Sequence, residues 1–376
     1  MLPTPDAEAL LDLTRELAAR ELRPVAAELE ERAEFPRATF RTLGKAGLLG
    51  LPYEEAFGGA GQPYEVYLQV LEELSSAWLA VGLGVSVHTL ACFPLAGYGS
   101  AEQKDMWLPD MLGGDLLGAY CLSEPDSGSD AAALTTRAVR DGDTYTVTGT
   151  KAWVTHGGVA DFYNLMVRTG EDGSRGISCL LTPAGTTGLS AQAPERKMGM
   201  RSSPTAAVRL DGARVDAHRL LGREGEGFRI ALAALDGGRL GIAACATGLA
   251  QAALDYAVRY AGERRQFAQP IAEFQGISFL LADLATAVEA ARQLYLYGAR
   301  LRDAGHPYST VAAQAKLLAT DTAMRVAIDA VQILGGAGYV EDHPVERYLR
   351  EAKVLQILEG TNQVQRLVIG RALTGR

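Results

Sequence analysis

The stretch YCLSEPDSGSD, residues 120–130, marks the point where the chain changes its pattern. Before it, apolar residues recur at helical spacing, as in Leu10, Leu13 and Leu17 and again in Tyr67, Val70, Leu71 and Leu74. Leu10 to Glu31 reads as one amphipathic helix, and the Gly/Pro-rich LPYEEAFGGAGQP (51–63) breaks the region into helical blocks. After it, Asp-Gly pairs at Asp141, Asp172 and Asp211 punctuate short β-branched or apolar runs: TYTVTGT, FYNLMV, ISCLL and AAVRL. Such runs predict an antiparallel sheet with tight turns. From about Gly227 the helical pattern returns in long Ala/Leu-rich blocks, among them GIAACATGLAQAALDYAVRYA (241–261) and GISFLLADLATAVEAARQLYLYGARL (276–301). Their lengths suit a bundle of antiparallel helices, and the abundant Ala and Gly imply close helix approach. The order is α, then β, then α. We therefore expect an α+β chain with a helical domain over 1–117, a middle β domain over 118–222 and a C-terminal helical domain over 223–376.

A chain of 376 residues can bury a large core, and its net charge of −9 argues against nucleic acid or an anionic membrane surface as a partner. Cys92, Cys121, Cys179 and Cys245 lie far apart and form no CxxC, as expected of unpaired thiols in a reducing compartment. No basic segment followed by an apolar one opens the chain, so a cytoplasmic protein is expected. Leu74 to Ala101 carries no formal charge and has the length of a membrane span. It also contains Ser86, His88 and Thr89 with Gly and Pro, and no second such segment is recognised. The expectation is a helix buried in a helical domain, with His88 a satisfied core or cleft histidine and no membrane span.

Several chemistries lose support. There is no GxGxxG, GxxxxGK[ST], HExxH or GxSxG, and five scattered histidines offer no metal site. Polar islands at element boundaries remain. YCLSEPDSGSD offers hydroxyls and backbone N–H groups to an anionic or heteroaromatic ligand, or is a polar interdomain turn. KAWVTHGG (151–158) places an aromatic face and a hydroxyl two residues apart, on one side of a strand. GERRQF (262–267) sets two arginines and an aromatic at a helix end, and QILGGAGY (332–339) is a glycine-rich break between helices. VLQILEGTNQVQR (354–366) ends an apolar run on one carboxylate, Glu359. It reads either as a helix junction, with Gly360 ending one helix and Asn362 and Gln365 capping the next, or as a base whose pKa is raised by apolar neighbours.

Taken together, in this order and spacing, the islands resemble the acyl-CoA dehydrogenase family over essentially the whole chain. The resemblance implies a helical N-terminal domain, a β-barrel-like middle domain and a C-terminal four-helix bundle. It implies FAD, wedged between domains and touching a neighbouring subunit, in a homodimer or homotetramer. By that resemblance Tyr120, Leu122 and Ser123 lie beside the flavin ring, and Ser129 serves the FAD pyrophosphate or the acyl-CoA edge. Trp153 stacks on the flavin with the Thr155 hydroxyl near its reactive nitrogen, whereas His156 stands where the family commonly has asparagine. Arg264, Gln266 and Phe267 match positions that reach the FAD of a partner subunit, and Gln275 matches another helical contact to the cofactor. Gln332 and Gly336 match the loop holding the far end of the cofactor. Thr361 and Gln363 match contacts after the base, and Asp236 and Arg239, within LDGGRLG, resemble acyl-CoA contacts.

The resemblance gives Glu359 the role of base, removing the α-proton of an acyl-CoA thioester while the β-hydride passes to FAD. Gly360 lets the backbone approach the substrate. A subset of the family carries its base at the place of Gly238, which has no side chain here. No arginine occurs between Arg41 and Arg137, so a dicarboxylate tail is expected to lack a partner. The expected reaction is dehydrogenation of a saturated, monocarboxylic, short- to medium-chain acyl-CoA, with electrons leaving to an electron-transfer flavoprotein. The alternatives are an acyl-CoA oxidase using oxygen and a cofactor-free helical binding protein.

Overall fold

The computed structural model describes residues 4–171 and 173–375, and its elements run α, β, α. The N-terminal part holds α1 (Asp6–Leu17), α2 (Ala26–Arg32), α3 (Arg37–Lys45), α4 (Tyr64–Ala77), α5 (Leu79–Tyr98) and α6 (Ala101–Leu112). The single helix expected from Leu10 to Glu31 is two. α1 runs on through a π turn, Ala18–Leu22, and Pro24, with no N–H to donate, breaks the run before α2.

Strands β1 (Gly118–Cys121), β2 (Arg137–Asp141), β3 (Thr144–Thr155), β4 (Phe162–Arg168), β5 (Ile177–Pro183), β6 (Leu189–Ala191), β7 (Thr205–Asp216) and β8 (Leu220–Leu221) form one sheet. Its path is β6-β7-β3-β2-β4-β5-β8, with β1 on β4. The sheet is not wholly antiparallel. β1 lies parallel to β4, and β2 meets β4 in parallel at Arg137↔Arg168. The chain leaves β1 on a long excursion before β4, which is the connection a parallel pair requires.

Of the Asp-Gly turns, Asp141 ends β2 and Gly142, at φ +57°, opens the two-residue turn into β3. Asp172 lies outside the described residues. Asp211-Gly212 is a correction, because β7 runs straight through it. Val147 pairs with Ala213 and Gly149 with Leu210, so two residues of β7 face one of β3 in a bulge, with Gly212 at φ +65°. The Asp-Gly pair marks a left-handed position, and here a bulge uses it.

After the sheet come α7 (Gly227–Glu263), the short hairpin β9 (Arg265–Gln266) and β10 (Gln269–Pro270), then α8 (Gln275–Asp303) and α9 (Ser309–Leu334). They are followed by α10 (Val345–Leu355) and α11 (Asn362–Thr374). α7, α8 and α9 pack on one another, and α10 and α11 both pack on α9. Glycines let α7 press against the N-terminal helices: a Cβ at Gly241 would lie 2.4 Å from Ser86 Oγ, and one at Gly248 2.2 Å from the Glu72 carbonyl oxygen. Each such glycine costs about 0.5–1 kcal/mol of helix propensity. The contact it permits offsets that cost, and one continuous core joins the two helical parts.

α5 and α7 are both long and apolar enough to cross a membrane, and both are largely buried inside the fold. The expectation of one such segment is therefore corrected to two. α7 qualifies because the Ala/Gly-rich residues 240–254, between Arg239 and Asp255, carry no charge.

Candidate functional site

A cleft of about 670 Å³ opens where the three parts meet. Its walls come from α5, the segment after β1, the end of β3, α7 and the segment Leu358–Arg371. Tyr120, Leu122, Ser123, Ser129, Trp153 and Thr155 line it, as do Arg239, Glu359 and Gly360.

Local structure explains why the two sheet-side islands meet. The Ala152 N–H donates to the Ser123 carbonyl at 2.9 Å, and Lys151 Nζ donates to the Leu122 carbonyl at 3.1 Å and to Glu124 Oε1 at 2.8 Å. Glu124 also accepts from the Thr135 and Thr136 N–H groups. Burial alone would raise its pKa, but the Lys151 ammonium and these donors hold it down to about 2. This buried ion pair fixes residues 122–124 against β3. Both members sit inside the quoted motifs, yet motif reading assigned them nothing; two opposite charges in adjacent islands were the available signal. Beyond it, Lys151 pairs with Val208 and Val154 with Ala206, so Ala152 and Trp153 form a bulge. Trp153 takes φ +59° and stands 66% exposed at the cleft instead of joining the core.

Glu359 is the other focus. α10 stops at Leu355, before the apolar run ends, and the N-cap of α11 is Thr361, whose hydroxyl accepts the Val364 N–H at 3.3 Å. The expected cap by Asn362 and Gln365 is thus corrected. Asn362 and Gln365 turn inward: Gln365 Nε2 donates to the Gly360 carbonyl at 2.7 Å, and Asn362 Nδ2 to Thr320 Oγ1 at 2.9 Å. The linker between the helices places Glu359 at φ +51° and Gly360 at φ +89°. A left-handed glutamate is strained by about 1–3 kcal/mol. Both its carboxylate oxygens are buried without a hydrogen-bond partner. Burial raises the pKa of this carboxyl to about 7, against the pull of Lys316 and Arg239. The carboxylate fills the space left by a missing side chain, since a Cβ at Gly238 would lie 2.2 Å from Glu359 Oε2.

Beyond Gly238 lies a small pocket of about 20 Å³, enough for about one water. Leu90 borders both cavities, and the chamber is ringed by Tyr53, Tyr64, Ser86, Thr89 and Arg302. An arginine from outside the arginine-free interval does border this pocket. Arg302 arrives from the end of α8, 3.4 Å from the centre of the Tyr64 ring. The arginine-free interval from Arg41 to Arg137 was a statement about sequence, and the bundle supplies the cation from another domain. The chamber is nonetheless too small for a carboxylate.

Asp236 orients Arg239 through an ion pair of 2.6 Å and accepts from Ser309 Oγ at 2.9 Å, so only Arg239 of the pair faces the cleft. Thr361 acts as a cap, and Gln363 is exposed on α11. Arg264, Gln266, Phe267 and Gln275 stand at an exposed corner around the β9–β10 hairpin, away from the cleft of their own chain. Phe267 and Ala268 form its turn at φ +50° and +65°, leaving Phe267 90% exposed. Gln332 and Gly336 are exposed where α9 ends. His156 is buried, with Nδ1 2.9 Å from the Gly118 carbonyl, and burial lowers its pKa to about 4. It is a neutral tie between β1 and β3. His88 accepts the Gly118 N–H at Nδ1 and meets the Met111 carbonyl at Nε2, a core histidine bonded at both nitrogens.

Three family models cover this chain: acyl-CoA dehydrogenase N-terminal domain over residues 4–115, middle domain over 119–213 and C-terminal domain over 225–374. An acyl-CoA dehydrogenase of Bacillus subtilis is 46% identical over 365 residues, 96% of each chain. The butyryl-CoA dehydrogenase of Megasphaera elsdenii superposes with a TM-score of 0.97 at 39% identity, covering 100% of this chain and 99% of that one. A chain from a structure described as an electron transferring flavoprotein of Acidaminococcus fermentans gives a TM-score of 0.97 at 42% identity, over 98% of both chains. The cleft and its acid thus sit in the frame of a flavin-dependent oxidoreductase. The chain belongs to the acyl-CoA dehydrogenase family, and its cofactor is FAD.

The residues present fit that cofactor. The Tyr120 hydroxyl is buried without a partner beside the cleft, and the bulge turns an aromatic face and the Thr155 side chain into it.

Proposed function

We propose that this protein converts a saturated short-chain acyl-CoA to its trans-2-enoyl-CoA, with Glu359 as the base. The observation that carries this is the partnerless, buried Glu359 carboxylate seated in the space at Gly238. The α-proton goes to Glu359, the Cα–H electron pair becomes the new C=C bond, and the β-carbon loses hydride. Bound FAD supplies the hydride acceptor. An α-proton of a thioester is weakly acidic, so a base poised near neutrality suits it better than an ordinary carboxylate. The Glu359 N–H has no acceptor among the described residues and can donate to the thioester oxygen as charge develops there. Trp153, Thr155, Tyr120, Leu122 and Ser123 hold the flavin end of the cofactor. Ser129, Arg239 and Gly360 border the acyl-CoA, with Asp236 orienting Arg239.

Arg264, Gln266, Phe267 and Gln275 project from the outer corner into a second copy of the chain, where they hold that copy's FAD. Gln332, Gly336, Thr361 and Gln363 contact the cofactor's remaining length. The assembly is a homodimer or, doubled, a homotetramer. The small chamber behind Gly238 supports a short acyl chain, and the likeness to a butyryl-CoA dehydrogenase points the same way. Electrons leave to an electron-transfer flavoprotein. Butyryl-, hexanoyl-, octanoyl-, isovaleryl- and glutaryl-CoA, each assayed with oxygen alone or with electron-transfer flavoprotein, test both halves. Butyryl- or hexanoyl-CoA with the flavoprotein should be fastest. Rapid peroxide formation with oxygen alone would make it an oxidase, and a preference for glutaryl-CoA would overturn the substrate class.

A further inference from the structure

Lys316, on α9, is among the largest fully buried side chains, yet nothing in the reaction uses it. Its Nζ donates to the Gly360 carbonyl at 3.0 Å and to Asn362 Oδ1 at 2.8 Å. The same Gly360 carbonyl accepts from Gln365, so two donors from different helices grip one oxygen, one peptide beyond Glu359. Asn362 is pinned in turn by Thr320 and Asp321, and Asp321 also receives Gln356 and Arg366. The network therefore spans α9, the end of α10 and the start of α11, and closes around the linker between the last two.

That linker holds the strained left-handed Glu359. A strained residue persists only where its surroundings over-determine it. The carboxylate makes no hydrogen bond of its own, so its place at Gly238 is set entirely by the backbone behind it. We propose that Lys316 is a positioning residue for dehydrogenation: by clamping the Gly360 carbonyl it holds Glu359 in the left-handed conformation that aims its carboxylate at the substrate's α-carbon. The inference rests on the reading of Glu359 as base. Lys316 also faces Glu359, Asp321 and Arg239 electrostatically, and its cation favours the ionised form of Glu359. One buried lysine thus fixes both where the base stands and when it is charged.

The test is anaerobic stopped-flow reduction of the FAD-loaded enzyme by butyryl-CoA, from pH 6 to 9, for Lys316→Met, Lys316→Gln and Lys316→Arg. Displacing a reacting group by about 1 Å costs about 10²-fold, so K316M should lose about that factor in reduction rate while FAD content and acyl-CoA Kd stay within about threefold. Its rate should also rise at higher pH than in the parent, because the cation that favours Glu359 ionisation is gone. K316R, which keeps charge and donors, should recover part of the rate. If K316M does not fold, K316Q carries the test: with a donor but no charge it must still show the shifted profile. A reduction rate within threefold of the parent in K316M, or a parental pH profile in K316Q, overturns the proposal. Glu359→Gln run alongside keeps the two readings apart. Full activity in E359Q would sink the base assignment itself, whereas an inactive E359Q beside an unaffected K316M would sink only the role of Lys316.

Discussion

Replacing Glu359 by Gln should weaken the enzyme and strengthen the fold, and the second effect should depend on pH. Burial raises the carboxyl from 4.5 to about 7. At about 1.4 kcal/mol per pH unit, ionising it in the folded chain costs roughly 3 kcal/mol more than in the unfolded one. The folded state holds the proton to higher pH, so it binds more protons than the unfolded state between pH 4.5 and 7. Stability therefore falls as pH rises through that window and levels off above it. Glutamine keeps the shape and does not titrate. E359Q should gain about 2–3 kcal/mol over the parent when the comparison moves from pH 5 to pH 8. Urea unfolding of both proteins at the two pH values, followed by circular dichroism, reads this difference. Flavin reduction by butyryl-CoA should meanwhile slow by about 10²–10⁴-fold, the usual worth of a positioned base. An equal stability difference at pH 5 and pH 8 would refute the burial of a charge. A rate loss below about tenfold would place the base elsewhere.

Two other expectations follow from the outer corner and the inner chamber. Arg264→Ala should weaken FAD retention, read as flavin lost on gel filtration, if the exposed Arg264, which no acidic partner holds among the described residues, serves a neighbouring chain's cofactor as proposed; a fully active, FAD-replete monomer in light scattering would refute the cross-subunit site. Arg302→Ala should enlarge the pocket behind Gly238 toward longer chains. A buried methylene is worth about 0.8 kcal/mol, about fourfold, so seating the four extra methylenes of octanoyl-CoA should raise the octanoyl-to-butyryl ratio of kcat/KM by roughly 10²-fold, and an unchanged ratio would show that another wall sets the length.

The fold was legible where local chemistry and global position agree. Helical spacing at Tyr67, Val70, Leu71 and Leu74 gave a helix whose four marked residues are all buried. Alternation in TYTVTGT gave a strand, with Tyr145 and Val147 in the sheet core and their neighbours outward. What misled was punctuation with more than one use. Asp211-Gly212 signals a left-handed backbone, and a bulge needs that as much as a turn does. Pro24 hides its break, because the apolar spacing of α1 resumes in α2 beyond it. The parallel pairing of β1 with β4 depends on contacts across the whole middle domain, which no short window contains.

The site divides along the same line. Cleft-lining residues that stand inside their own motif were visible: Trp153 and Thr155 share one island, and Glu359 stands alone at the end of an apolar run. Residues brought together by contacts between elements were not. Arg302 and Tyr64 are 238 positions apart in sequence, and only the packing of α8 on α4 brings them together. Lys316 sits in an Ala-rich helix with no feature but its charge, and that charge became informative only once it was found buried beneath Gly360. A lone lysine in an apolar helical stripe must find partners or leave the core, because an uncompensated buried ammonium is too costly to keep. Here its partners belong to the linker that carries Glu359, so the cost of burying that charge is offset by contacts to the segment that holds Glu359 in its strained conformation.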